Sequence, residues 1–158
     1  MLEEQSNRIR PMQPEDIKRI EEIWYNESVH VHNWMDNPKK FWDNRRKDFT
    51  DETCTASEKF VYEESEIIIG FITVRDNYIL EIFRDYEHRK DPNGRSKRIG
   101  TCLLNHVKEC RHFLTASVYM LNHKAVKFYI NSDFVIKNLY TEDTGFCKFW
   151  MEWKREKP

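Results

Sequence analysis

Glycine is scarce. The 158-residue chain holds four, Gly70, Gly94, Gly100 and Gly145, and no two have the spacing of the Gly-x-x-x-x-Gly-Lys phosphate loop or the Gly-x-Gly-x-x-Gly dinucleotide turn. Both nucleotide folds are excluded in their usual form. Cysteine makes no pattern either: Cys54, Cys102, Cys110 and Cys147 lie far apart with no Cys-x-x-Cys pair, which argues for reduced thiols and against a disulfide framework or a zinc knuckle. Long apolar runs are missing. Stretches such as 67–69 and 116–121 fall far short of a membrane span. Residues 1–5 are acidic and polar where a secretion signal is basic and then apolar, so a cytoplasmic protein is expected. Nor does one sign of charge dominate: 26 Lys and Arg against 27 Asp and Glu leave a net charge of −1. No global field draws such a chain to nucleic acid or to an anionic membrane, and neither is expected as a partner. Any anion site must be local.

What is present is enough chain for one core and too little for two, with no repeat and no Ser/Pro-rich linker, so one domain over 1–158 is expected. Hydrophobic period predicts a short strand at 8–12, then a helix to about Glu27. Pro14 sits in its first turn, Glu15 and Asp16 favour the dipole, and Ile17, Ile20, Ile23 and Trp24 recur at helical spacing. A loop is expected at 29–34 and a second helix over 38–49. Strands follow at 60–62, 67–75 and 78–83, joined by turns at 63–66 and 76–77, as an antiparallel meander. After a polar loop containing Asp91-Pro-Asn-Gly94, a helix over 99–111 carries Ile99, Leu103, Leu104, Val107 and Cys110 on one side. A strand at 113–120, a short helix over 123–131 capped near Asn122, and strands at 134–140 and 146–153 close the chain. Helices and strands interleave, so the fold class is α/β or α+β with a mixed sheet.

Two segments carry a resemblance. Arg95-Ser-Lys-Arg-Ile-Gly100 with the following Thr-Cys-Leu-Leu resembles the Arg/Gln-x-x-Gly-x-Gly/Ala motif of the GNAT superfamily of acyl-CoA N-acyltransferases. Asn122-His-Lys-Ala-Val-Lys-Phe-Tyr129-Ile-Asn-Ser-Asp-Phe134 resembles that superfamily's Asn-x-x-Ala-x-x-Phe-Tyr-x-x-x-Gly-Phe segment. Their order and the elements around them agree over nearly the whole chain. The chain is similar to small bacterial N-acetyltransferases of this group. The resemblance implies a mostly antiparallel central sheet flanked by about four helices, with acetyl-CoA as co-substrate. It implies transfer of an acetyl group to a primary amine, on a small molecule or a protein. A non-catalytic acyl-CoA sensor or interaction module on the same fold is the alternative.

The first motif also has a physical basis. A helix N-terminus offers unpaired N–H groups and partial positive charge, which suits a pyrophosphate. The resemblance assigns that role to the amides from Lys97 through Arg98, Ile99 and Gly100 to Thr101, helped by the Arg95 and Lys97 side chains, and sets Asn122 near the pantetheine arm. Two departures stand out: Arg98 replaces the motif's first glycine, and Asp133 replaces the glycine that closes the second segment. The loop over 84–94 is also longer than the resemblance implies.

Acyl transfer needs an amine freed of its proton, a polarised thioester carbonyl and a proton for the departing thiolate. By resemblance Tyr129 is the acid, and a phenol's high reference pKa suits it. Glu81, alone among apolar neighbours, is the candidate base, because burial would raise its pKa. Strict alternation would set Ile79, Glu81 and Phe83 on one face. Main-chain amides near Ile82 and Phe83 would polarise the carbonyl if this strand splays from the next. Trp34 and Trp42 are expected to line or underlie the acceptor groove, beside the basic-aromatic stretch 39–47. His30 with His32, and Cys102, His106 and Cys110 at i, i+4 and i+8, lack a full ligand set, so no metal is expected. The aromatic closing strand, with Phe146, Phe149, Trp150 and Trp153, suggests pairing across a homodimer.

Overall fold

The structure, a computed structural model, describes residues 8–156. The acidic stretch 1–5, expected not to direct export, lies outside them. Seven strands form one sheet: β1 (Ile9–Pro11), β2 (Glu58–Glu64), β3 (Ile67–Arg75), β4 (Tyr78–Arg84), β5 (Phe113–Tyr119), β6 (Val135–Thr141) and β7 (Cys147–Lys154), in the order β1-β2-β3-β4-β5-β7-β6. Every neighbouring pair is antiparallel except β4 and β5, which run parallel. Five helices flank it: α1 (Ile17–Val31), α2 (Pro38–Asp43), α3 (Arg46–Thr55), α4 (Ile99–Glu109) and α5 (His123–Ile130). This is the expected α/β class, with one helix more than expected.

The extra helix comes from the stretch anticipated as one helix over 38–49. Pro38 starts α2, capped by the Asn37 side chain, which accepts from the Lys40 amide at 3.2 Å. The Arg45 guanidinium then folds back 3.6 Å over the Phe41 ring and donates to the Phe41 carbonyl, 3.3 Å. That contact closes α2 by a side chain, and α3 restarts at Arg46. Helix α1 instead overruns its expected end and takes 29–31 from the anticipated loop. His32 closes it, because both its backbone N–H (3.2 Å) and its ring Nδ1 (2.8 Å) reach the Ser28 carbonyl.

The sheet separates two cores. On one face α4 and α5 pack through Ile99, Leu103, Leu104, Val107 and Tyr129 against Ile72, Val74, Ile79, Leu114 and Val118. On the other, α1 to α3 pack through Ile20, Ile23, Trp24, Trp42 and Phe49 against Val61, Phe71 and Tyr119. Between them the dozen largest fully buried side chains include Trp24, Tyr62 and Phe71, each worth about 1.5–3 kcal/mol of transfer free energy.

A β-bulge changes which side chains share a face. The β3–β4 register steps from Thr73↔Glu81 to Val74↔Ile79, which leaves Leu80 as the extra residue. Simple alternation therefore fails at this point. Glu81 and Phe83 lie on the α1–α3 face with Thr73 and Phe71, whereas Ile79 lies with Val74 on the α4–α5 face. The aromatic closing strand β7 is hydrogen-bonded on both sides, to β5 and β6, so its backbone is not free to pair with another chain, and the edge strands of the sheet are β1 and β6.

Candidate active site

Strands β4 and β5 pair only at Tyr78↔Thr115 and Ile79↔Ala116 and then diverge. Past Ile79 the strand β4 has no partner on this side among the described residues, so alternation turns the Ile82 main chain to an opening in the middle of the sheet. The Phe83 amide, expected beside it, instead faces β3, in register with the Asp85 N–H that donates to the Ile69 carbonyl. A cavity of about 790 Å³ runs through that opening from one face to the other, lined at one end by Arg98, Gly100 and Thr101 and at the other by Trp42, Phe49 and Glu52. The expected splay is thus present, and the bulge at Leu80 is what turns Glu81 into it.

Helix α4 aims its N-terminus at the first end. Its cap is Arg98, in the left-handed conformation (φ 53°, ψ 36°), and no side chain caps the helix. The first three amides, Ile99, Gly100 and Thr101, therefore keep their N–H groups free of helical partners. Arg98 adopts the backbone a glycine would adopt, so the departure from the motif keeps its shape and adds a cation. Gly70 lets the helix come this close: a Cβ on it would lie 2.5 Å from Ile99 Cγ2 and 3.1 Å from the Phe83 carbonyl. The Ile99 side chain itself is buried in the core, so only its amide serves this end.

Two expected contributors point elsewhere. The Lys97 ammonium pairs with Glu64 at 3.0 Å, and its amide donates to the Arg89 carbonyl at 3.0 Å. Arg95 is exposed, its amide held by Asp91 Oδ1 at 2.8 Å, and does not line the cavity. Their places are taken by Arg89 and Lys90, which sequence reasoning missed. The long loop folds into a small hairpin: Asp91 closes its turn, Lys90 bridges Ser96, and the Tyr86 amide donates to Glu27 at 3.1 Å. Length alone does not reveal such a fold-back, although the Asp-x-x-Gly turn was a signal for it.

Tyr129 reaches the opening from the α4–α5 face. It is only 6% exposed, yet its hydroxyl lines the cavity and has no hydrogen-bond partner among the described residues. Burial, and then the nearby Glu81 and Tyr78, push its pKa far up, so the phenol holds its proton. Helix α5 is fixed at both ends. Asn122 Oδ1 accepts from the Ala125 amide at 3.2 Å, so its side chain works as a cap while also lining the cavity. At the C-terminus Phe134 N–H reaches the Tyr129 carbonyl (3.0 Å) and Asp133 N–H the Ile130 carbonyl (3.1 Å), with Asp133 left-handed at φ 67°. This is a Schellman cap, completed by the Tyr129–Phe134 ring contact at 5.0 Å.

Glu81 reaches the opening from the opposite face. Its carboxyl end is enclosed, and its pKa is pushed up to about 8, by desolvation first and then by the negative Glu52; Lys148 opposes the shift. The Trp24 indole N–H also favours the charged form slightly, although no hydrogen bond of normal geometry reaches that N–H. Tyr119, Lys148 and Glu142 wall this side, with the Tyr119 hydroxyl 3.0 Å and the Lys148 ammonium 2.6 Å from the Glu142 carboxylate. His32 is buried against Trp34, Trp42 and Tyr119, and desolvation lowers its pKa to about 4, so it stays neutral. Trp42 lines the cavity. Trp34 does not: it packs on Tyr119 and Phe146 and borders a separate pocket of about 230 Å³. No cluster of three or more His, Cys, Asp or Glu side chains suited to a metal is found among the described residues.

No family model matches the chain, and no curated protein matches it by sequence. Solved structures do match. The GCN5-related N-acetyltransferase of Rhodopseudomonas palustris superposes with TM-score 0.72 at 15% identity, over 93% of this chain and 94% of that one. Apo YjaB of Escherichia coli gives 0.72 at 19%, over 91% and 95%. The yncA protein of Salmonella typhimurium, solved with its cofactor acetyl-CoA, gives 0.60 at 15%, over 95% and 94%. With its parted β4 and β5, its bare α4 N-terminus and this likeness along nearly its whole length, the chain has the GNAT N-acyltransferase fold.

Proposed function

We propose that the protein moves an acetyl group from acetyl-CoA to a primary amine by direct attack. One observation carries the reading: Glu81 and Tyr129 face one opening in the sheet from opposite sides, between the free amides of α4 and an aromatic end pocket. The charge around the opening suits that coenzyme. Arg89, Lys90, Arg98 and Lys124 surround the end where a pyrophosphate would meet the helix N-terminus.

Acetyl-CoA would supply the acyl group as a thioester. Glu81 takes a proton from the incoming ammonium, directly or through water, and its raised pKa suits a base working near neutral pH. The amine lone pair forms the new C–N bond while the Ile82 amide, turned away from β3 to the opening, stabilises charge on the carbonyl oxygen. As the C–S bond breaks, its electron pair goes to sulfur, and Tyr129 protonates the thiolate. The proton shed by nitrogen on amide formation restores the phenol, and Glu81 returns its own to solvent. No covalent enzyme intermediate is needed. Cys102 stands on α4 and Cys110 caps its C-terminus, and neither lines the opening.

Calorimetric titration with acetyl-CoA, followed by thiol release over a panel of amines, tests the proposal. Micromolar binding with turnover on at least one amine is expected. No binding at millimolar coenzyme would end the enzyme reading, and binding without turnover on any acceptor would favour the sensor.

A further inference from the structure

The charge at the α1–α3 end of the cavity narrows the acceptor. Helix α3 carries three acidic residues, of which Asp51 pairs with Lys47 (2.7 Å), while Arg46 is taken by Asp43 of α2 and Glu21 of α1 (2.8 Å each). Asp48 and Glu52, one helical turn apart, are the ones that line the cavity, and neither makes an ion pair among the described residues. Glu52 is near enough to Glu81 to act on its charge. The cations at this end are already engaged. Lys148 is neutralised by Glu142, and Arg45, which keeps its charge, is held over the Phe41 ring on the Phe41 carbonyl, so the carboxylates of this end outnumber its free cations. His32 is uncharged, and Trp24, Trp42 and Phe49 supply aromatic wall.

A second observation marks this cavity as a place for a ligand: the buried, unpartnered Tyr129 hydroxyl opens into it beside Glu81. Its volume of about 790 Å³ is shared by the coenzyme end and the acceptor end, which leaves the acceptor the room of a small molecule. We propose that the acceptor is a small amine carrying at least one further ammonium group, which Asp48 and Glu52 hold while the reacting nitrogen meets Glu81. The proposal rests on the acyl-transfer reading above. A monoamine leaves the two carboxylates without a partner, and an anionic acceptor is repelled by them.

The test uses the full chain, saturated with acetyl-CoA, and compares kcat/KM by thiol release for butylamine, 1,4-diaminobutane, spermidine and kanamycin. Exposed charge pairs are worth up to about fivefold each, so the diamine is expected to exceed butylamine by about tenfold. That ratio is expected to shrink at high salt and to fall towards one in a Glu52→Gln/Asp48→Asn double variant, whose fold is checked by circular dichroism. Spermidine outrunning kanamycin identifies a linear polyamine, and the reverse an amino sugar; either supports the inference. Butylamine matching the diamine, a ratio unmoved in the double variant, or turnover on peptide amines alone overturns it while leaving acyl transfer intact. Absence of coenzyme binding overturns both, so the two failures are distinguishable.

Discussion

Replacing Glu81 with glutamine should stop turnover and stabilise the fold at the same time. In the folded chain this carboxyl binds its proton more tightly than in the unfolded chain, with the pKa displaced from 4.5 to about 8. Between those values the native state holds a proton that the unfolded state has released, so stability falls as pH rises from about 4.5 to about 8. Below 4.5 this penalty is absent. One pKa unit is about 1.4 kcal/mol, which caps the penalty near 5 kcal/mol. Because the carboxyl can reach cavity water, about 1–2 kcal/mol should be recovered by Glu81→Gln, or roughly 3–6 °C in Tm for a domain of this size. Thermal melts of the two proteins at pH 5 and pH 9 measure it. The variant should be close to wild type at pH 5, more stable at pH 9, and at least about a hundredfold slower in thiol release. In wild type the rate should climb with pH towards a plateau above about 8. A variant less stable at pH 9, or one that keeps wild-type turnover, would refute the enclosure of Glu81 and its role as base.

Three further substitutions probe the frame of the site. Asp133→Gly relieves a left-handed residue at the Schellman cap of α5 and should raise stability by about 1 kcal/mol, read by denaturant midpoint; a loss would mean that the Asp133 side chain holds the turn. Arg98→Gly should also raise Tm, yet weaken acetyl-CoA binding several-fold in calorimetry, because the backbone shape survives and the cation does not. Tighter binding would reveal Arg98 as an obstruction. Gly70→Ala drives a Cβ to within 2.5 Å of Ile99 and should destabilise by about 1–3 kcal/mol while weakening coenzyme binding, since α4 must move off the sheet. An unchanged melt would contradict that close approach.

Much of this architecture can be read from local chemistry. Asn122 announced the start of α5, the strand alternation announced the meander, and the residues from Arg95 to Gly100 announced a helix beginning with free amides. What escaped sequence reasoning depends on partners distant in the chain. The bulge at Leu80 exists only in the register of β4 against β3, so alternation wrongly grouped Ile79 with Glu81. The break between α2 and α3 follows from Arg45 folding back onto Phe41, which no helical periodicity encodes. Lys97 looked like a phosphate ligand because it sits in the motif, but Glu64, on β2, claims it. Conversely Arg89, Lys90, Asp48 and Glu52 look like ordinary surface charges until the loop hairpin and α3 bring them to one cavity.

The most direct test of the central claim is the pairing of Tyr129 with the opening between β4 and β5. Acetyl-CoA affinity by calorimetry and thiol-release turnover with a good amine acceptor, measured together on wild type and Tyr129→Phe, separate binding from chemistry. A buried phenol that only donates a proton to sulfur predicts a dissociation constant within about twofold of wild type and a kcat lower by about a hundredfold or more. Unchanged turnover in Tyr129→Phe would contradict the account.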